Sequence, residues 1–130
     1  MEKELNGMAA LVTGATSGIG RATALRFAEG GARVALVGRS AEGLKEVAEQ
    51  IGAHGGEAVR VRADVTVEED ARRAVAEAVE HLGGLDVLVN AAGIISNGTI
   101  ETTTLADWDA MMNVNLRSVF HLMQLCAPHL

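Results

Sequence analysis

At 130 residues, 48 % of them hydrophobic, the chain can form one compact domain with a buried core and is too short for two ordinary ones. A formal net charge of −6 without a clustered run of cations argues against a nucleic-acid partner. The one cysteine, Cys126, excludes an internal disulfide and a cysteine-rich metal site.

The N-terminus, Met1-Glu2-Lys3-Glu4-Leu5, is acidic where a secretory leader is basic. The apolar run from Met8 to Val12 is too short for a leader core or a membrane span. A soluble, cytoplasmic protein with no membrane partner is expected. Short apolar runs then alternate with longer amphipathic stretches, the pattern of βαβ units on a parallel sheet. Ala9–Thr13 predicts a first strand, running straight into a glycine-rich turn and a helix from Gly18 to Glu29 that Gly30-Gly31 stops. Arg33–Val37, nearly all apolar, predicts a strand buried on both faces. Ser40 is placed to cap a helix over Ala41–Ile51. Ala58–Arg62 alternates Val with Arg and belongs near a sheet edge. Thr66 and Glu69 have the spacing of a capping box that opens a helix to His81, ended by Gly83-Gly84. Asp86–Val89 predicts a fourth strand. Beyond a polar loop over Ser96–Thr103, Thr104 and Asp107 suggest a second capping box, with one helix continuing to Ala127 and Pro128 near its end. Right-handed crossovers make this a doubly wound α/β sheet of strand order 3-2-1-4, a Rossmann-type fold, with residues 1–130 as a single dinucleotide-binding domain.

The junction of strand one and helix one reads Thr13-Gly14-Ala15-Thr16-Ser17-Gly18-Ile19-Gly20. Gly14 lets the chain turn off the strand, Gly18 lacks a Cβ that would block a pyrophosphate, and Gly20 lets the helix pack close to the sheet. The free N–H groups at the helix start face the phosphates. A glycine pattern alone is weak; between an apolar strand and a helix it becomes a strong dinucleotide signal.

This T-G-x-x-x-G-I-G spacing resembles the turn of the short-chain dehydrogenase/reductase family, and three further segments match that family in order. Asp64-Val65-Thr66 follows strand three, where the family's Asp contacts the adenine. Asn90-Ala91-Ala92-Gly93 closes strand four and resembles the N-N-A-G motif beside the cofactor. Asn113-Val114-Asn115-Leu116 lies in the last helix, and the Asn of the family's catalytic tetrad falls on Asn115. The resemblance covers the whole chain as the family's N-terminal, cofactor-binding half, and looks nearest to 3-oxoacyl-carrier-protein reductases.

Strand two ends Val37-Gly38-Arg39-Ser40. Gly38 stands where the family's NAD-binding members often carry Asp for the ribose 2′-OH, so repulsion against a 2′-phosphate is missing. Arg39 offers that phosphate a planar fork and Ser40 an added donor. NADP(H) is expected ahead of NAD(H), held by Gly14, Thr16 to Gly20, Arg39, Ser40, Asp64, Val65 and Asn90 to Gly93.

The resemblance implies hydride transfer between NADP(H) and a carbonyl/alcohol substrate, with a Tyr as proton donor, a Lys in Y-x-x-x-K lowering its pKa, and a Ser polarising the substrate oxygen. This chain has no Tyr, and its only lysines are Lys3 and Lys45. It is therefore expected to be inactive alone, a truncated or deliberately shortened form of an enzyme of about 250 residues. The alternative is a non-catalytic NADP-binding module. A methyltransferase is disfavoured by the Thr13–Gly20 spacing and by Arg39. The histidines His54, His81, His121 and His129 are scattered and suggest no metal. Ser96 reads as an ordinary loop serine, Cys126 as a small packed hydrophobe, and Trp108 as a cover for the core. The last helix is apolar nearly all round, from Met111 and Met112 through Val119 and Phe120 to Met123 and Leu125. That predicts burial on more than one side, one of them against the sheet. The resemblance implies that the corresponding helix forms a subunit interface, so a dimer or tetramer is expected.

Overall fold

The computed structural model describes residues 3–130; Met1 and Glu2, which open the acidic N-terminal stretch, lie outside it. Four parallel strands form one sheet: β1 (Ala9–Thr13), β2 (Arg33–Gly38), β3 (Glu57–Arg62) and β4 (Val87–Val89), in the expected order β3-β2-β1-β4. Between them run α1 (Gly18–Glu29), α2 (Ala41–Ala53) and α3 (Glu68–Leu82). Predicted and observed boundaries agree to within about two residues through β3, and β3 takes the expected edge.

Strand alternation builds a core on each face. Leu11, Ala35, Val37 and Val61 point to the side covered by α3, packing with Ala71, Ala74, Val75 and Ala78. Val12, Val34 and Leu36 point to the side covered by α1 and α2, meeting Ala24, Leu44, Val47 and Ile51. A central strand sandwiched this way cannot afford polar side chains, which is why β1 and β2 are apolar almost throughout. Registers Leu11↔Ala35 and Leu11↔Leu88 align the C-terminal ends of β1, β2 and β4, where the crossovers diverge to opposite faces. Such a divergence leaves a crevice.

Four sequence expectations fail. The capping box at Thr66 does not form: α3 starts at Glu68 with Val67 as N-cap and no side-chain cap. Asp64 captures Thr66 instead, its Oδ1 accepting from the Thr66 N–H at 2.9 Å and hydroxyl at 2.6 Å. At Thr104 only half a box appears: its hydroxyl oxygen accepts from the Asp107 N–H at 3.1 Å. The last helix is interrupted, with α4 (Leu105–Met112), a π-helical turn over Asn113–Arg117, α5 (Ser118–Cys126) and a short 3₁₀ turn over Ala127–His129. As expected for its sheet-facing side, one stripe of it, Ser118, Leu122 and Cys126, is buried against α3 and the sheet. Trp108 does not cover the core; it is 52 % exposed. Cys126 is fully buried, and burial pushes its thiol up to about 11.

Candidate cofactor site

The crevice is fixed by a residue that sequence reasoning did not single out. Thr13 ends β1 fully buried, and its hydroxyl oxygen accepts from the N–H groups of Ala91 and Ala92, each at 3.1 Å. The hydroxyl proton points to the Val89 carbonyl at 3.4 Å. One side chain thus pins the segment after β4 against the end of β1. The available signal was a threonine closing an all-apolar strand, which must find partners when buried.

Gly14 (φ +60°) makes the turn off β1, and a Cβ there would stand 2.6 Å from the Ala91 carbonyl oxygen. At Gly20 a Cβ would stand 2.1 Å from the Gly14 carbonyl oxygen, so α1 abuts the turn only because that atom is absent. Gly18 (φ +52°) has nothing within 4 Å of its missing Cβ and opens onto the crevice. The first N–H groups of α1 have no intrahelical partners. Ser17, the N-cap, makes no side-chain cap bond, and the first turn carries no acid, whereas α2 and α3 have Glu42 and Glu68 to Asp70 there. Free N–H groups, a free hydroxyl and an uncompensated positive helix end suit an anion.

The cavity around this helix start measures about 640 Å³, within the range of small-molecule sites. Gly14 and residues 16–19 form its centre; residues 37–40 and 63–66 line it on the β2–β3 side. Residues 91–94, with Ala110, Asn113 and Val114, line it on the β4 side. Of the predicted cofactor residues, Gly20 and Asn90 stand behind this wall. Gly20 sets the α1 packing, and the buried Oδ1 of Asn90 finds no hydrogen-bond partner among the described residues.

On the β2–β3 side, Ser40 caps α2 by accepting from the Gly43 N–H at 3.0 Å, which leaves its hydroxyl proton free to donate. Thr16 fills the room left by two glycines: a Cβ at Gly38 would stand 3.1 Å from its methyl, and one at Gly43 2.9 Å from its Cβ. Asp64 is held ionised below the usual aspartate range, first by the Thr66 hydroxyl, then by the Thr66 N–H and the charge of Arg39, against the opposing effect of partial burial. Its N–H donates to Asp70 Oδ2 at 2.9 Å, a second support absent from the sequence reading. Arg39 is exposed, lines the cavity, and forms no ion pair among the described residues.

On the β4 side Asn115 sits inside the π-helical turn. Its Oδ1 accepts from the Ile94 N–H at 2.9 Å and its Nδ2 donates to the Ile94 carbonyl at 2.8 Å. Both ends of the amide are therefore committed to the backbone of the cavity wall, and the wall itself is formed by Asn113 and Val114. In this arrangement the Asn115 side chain holds the Ile94 backbone. The π turn disturbs the helical ladder, and the nearly buried Ser118 hydroxyl donates to the Val114 carbonyl at 2.6 Å. Arg117 closes the turn and pairs with Glu68 of α3 at 2.6 Å, which holds that carboxylate below its ordinary range. No helix among the described residues is long and apolar enough to cross a membrane.

The residues present fit a dinucleotide: an anion cradle at the centre, a cation, a hydroxyl and an ionised Asp on one side, and an apolar wall on the other. A family model described as short chain dehydrogenase matches residues 8–130. A 2,5-dichloro-2,5-cyclohexadiene-1,4-diol dehydrogenase, LinX, of Sphingobium indicum is 42 % identical over 130 residues, which is 100 % of this chain and 52 % of the relative. The crystal structure of a dehydrogenase/reductase from Sinorhizobium meliloti 1021 superposes with a TM-score of 0.95 at 45 % identity, covering 99 % of this chain and 52 % of that one. A short chain dehydrogenase from Burkholderia cenocepacia J2315, in complex with NADP, gives a TM-score of 0.92 at 44 % identity over 98 % of this chain and 52 % of its own. The chain thus spans about half the length of the proteins it matches. Sequence motifs, strand order and these likenesses agree: the chain belongs to the short-chain dehydrogenase family.

Proposed function

We propose that this chain binds NADP(H) in the 640 Å³ crevice, and that the whole protein is an NADP(H)-dependent oxidoreductase acting on a carbonyl/alcohol pair. The observation that carries the reading is the composition of the crevice. A free helix start lies at its centre, and at the end of β2 Arg39, without an ion pair among the described residues, stands next to Gly38, where NAD-selective sites place a carboxylate.

The α1 N–H groups and the Ser17 hydroxyl bind the pyrophosphate. Asp64 and Val65 border the adenine, and Arg39 with the Ser40 proton faces the 2′-phosphate. Ile94, held by Asn115, forms the wall at the nicotinamide end. When bound, the nicotinamide supplies or accepts the hydride. The complementary proton needs a donor at the substrate oxygen, and the chain has no Tyr for that task, so by itself it binds cofactor without turnover. The NADP complex of the Burkholderia relative supports the cofactor choice. A 3-oxoacyl thioester is one carbonyl class within this reading, and the LinX name points to a cyclic diol as another.

Fluorescence titration with NADPH and NADH tests the proposal. NADPH is expected to bind more tightly, and Arg39→Ala to weaken NADPH at least roughly tenfold while moving NADH less than about twofold, as loss of a charge-assisted contact to phosphate requires. Equal losses for the two cofactors would reject the assignment.

A further inference from the structure

We propose that Arg62 is a second guanidinium for the cofactor's 2′-phosphate and so a specificity-determining residue beside Arg39. The proposal rests on the NADP(H) reading above.

Strands β2 and β3 pair in register through Gly38↔Arg62, so residue 62 leaves the sheet level with the end of β2. Its side chain lies along that end: Nε donates to the Arg39 carbonyl at 3.0 Å. This uses one of five guanidinium donors and leaves its two terminal nitrogens without a partner among the described residues. From the other side Arg73 donates to the Arg62 carbonyl at 2.7 Å, fixing the backbone that carries it.

These residues enclose a secondary hollow of about 390 Å³, bordered by Arg39, Arg62 and Arg73 with Asp64 and Asp70. The hollow shares Arg39, Ala63 and Asp64 with the main crevice and so continues it past the ribose end. The charges are not equivalent. Arg73 is neutralised by Glu77 at 3.2 Å and Asp70 at 3.8 Å. Arg39 and Arg62 form no ion pair among the described residues, yet the backbone of one is tied to the side chain of the other. Arg39 acts on the neighbouring Asp64 carboxylate through its charge without forming an ion pair with it, so both guanidiniums keep donors for a further anion. A phosphate monoester carrying about −1.5 to −2 accepts from both forks. An exposed arginine on an edge strand is ordinarily a solvated residue, and Arg60 supplies that comparison. It lies on the same face of β3 two residues earlier, is exposed, and borders neither cavity.

Calorimetry with NADPH, NADH, 2′,5′-ADP and ADP on Arg62→Met, Arg60→Met, Arg39→Met and the Arg39→Met/Arg62→Met double variant tests the assignment. Arg62→Met is expected to weaken NADPH and 2′,5′-ADP roughly tenfold, to move NADH and ADP less than about twofold, and to leave the thermal midpoint in place. Arg60→Met should move none of the four ligands. In the Arg39→Met background, Arg62→Met should erase the remaining preference for 2′,5′-ADP over ADP. That separates a direct phosphate contact from a clamp acting only through the Arg39 loop. Equal weakening of all four ligands, or no further loss in the Arg39→Met background, overturns the proposal. Wild-type protein that binds NADPH and NADH alike would fail the NADP(H) reading itself, before Arg62 is in question.

Discussion

Thr13 shows how one hydroxyl can hold a site together. Its oxygen is the recorded acceptor for the Ala91 and Ala92 N–H groups, and it is completely buried, so water cannot take its place. Thr13→Val keeps the shape and removes the acceptor, leaving two amides unsatisfied at about 1–3 kcal/mol each. Thermal unfolding should show a loss of about 2 kcal/mol or more, with a midpoint roughly 10 °C lower for a domain of this size. Thr13→Ser should recover most of it, since the acceptor returns. A midpoint unchanged in Thr13→Val would mean that the segment after β4 is held by something other than this residue. Asn115 follows the same logic on the other wall. The family resemblance places a catalytic Asn at this position, and the structure adds that its side chain clamps the Ile94 backbone at both polar groups.

Among the secondary-structure elements, the glycines differ sharply in what their missing side chains do. Gly20 lets α1 touch the turn, with 2.1 Å from a hypothetical Cβ to the Gly14 carbonyl. Gly52 lies inside α2 with nothing within 4 Å of that position. Denaturant unfolding should therefore separate them in sign. Gly20→Ala is expected to cost about 3 kcal/mol or more, because backbone must move. Gly52→Ala is expected to gain about 0.5–1 kcal/mol through helix propensity. A tolerated Gly20→Ala would contradict the close α1–turn approach on which the phosphate cradle depends.

The same contrast explains what the sequence made legible. Strands β1 and β2, the glycine turn and α1 depend on local periodicity and on backbone chemistry within a few residues, and their predicted bounds hold. The start of α3 depends on Asp64 taking Thr66 away from the expected cap and on Asp70 reaching back to the Asp64 N–H. Within the π turn, Asn115 meets Ile94, 21 residues away in the chain. Neither contact has a local periodicity, and no glycine or proline marks the π turn. Twelve of the fourteen predicted cofactor residues line the crevice because motif spacing encodes them, whereas Thr13 and the Thr16–Gly38–Gly43 packing arise only once the strands are aligned.

At the scale of the whole molecule, the two ends of the sheet are finished differently. The β3 edge carries alternating exposed residues, including Arg60 and Arg62, and charge of that kind discourages edge pairing. At the other edge β4 pairs with β1 alone, and its three residues, Val87, Leu88 and Val89, are all apolar and half-buried. Beside it, α4, the π turn and α5 expose Leu105 at 83 %, Phe120 at 62 %, Leu116 at 58 %, Trp108 at 52 % and Met123 at 49 %. Contiguous apolar surface of that density is characteristic of interaction faces, and we propose that the helical part serves as a subunit interface. Sedimentation velocity at tens of micromolar is then expected to show dimers or larger species for the chain as it stands. Phe120→Glu combined with Met123→Glu alters the exposed face without touching the buried Ser118, Leu122 and Cys126 stripe, so the fold should survive and the association should fall. A lysine placed on β4 at Leu88 probes the competing edge, and if that variant alone abolished association, edge pairing would replace the helix face as its cause. A wild-type chain that sediments as a clean monomer up to high concentration would remove the interface from the argument altogether.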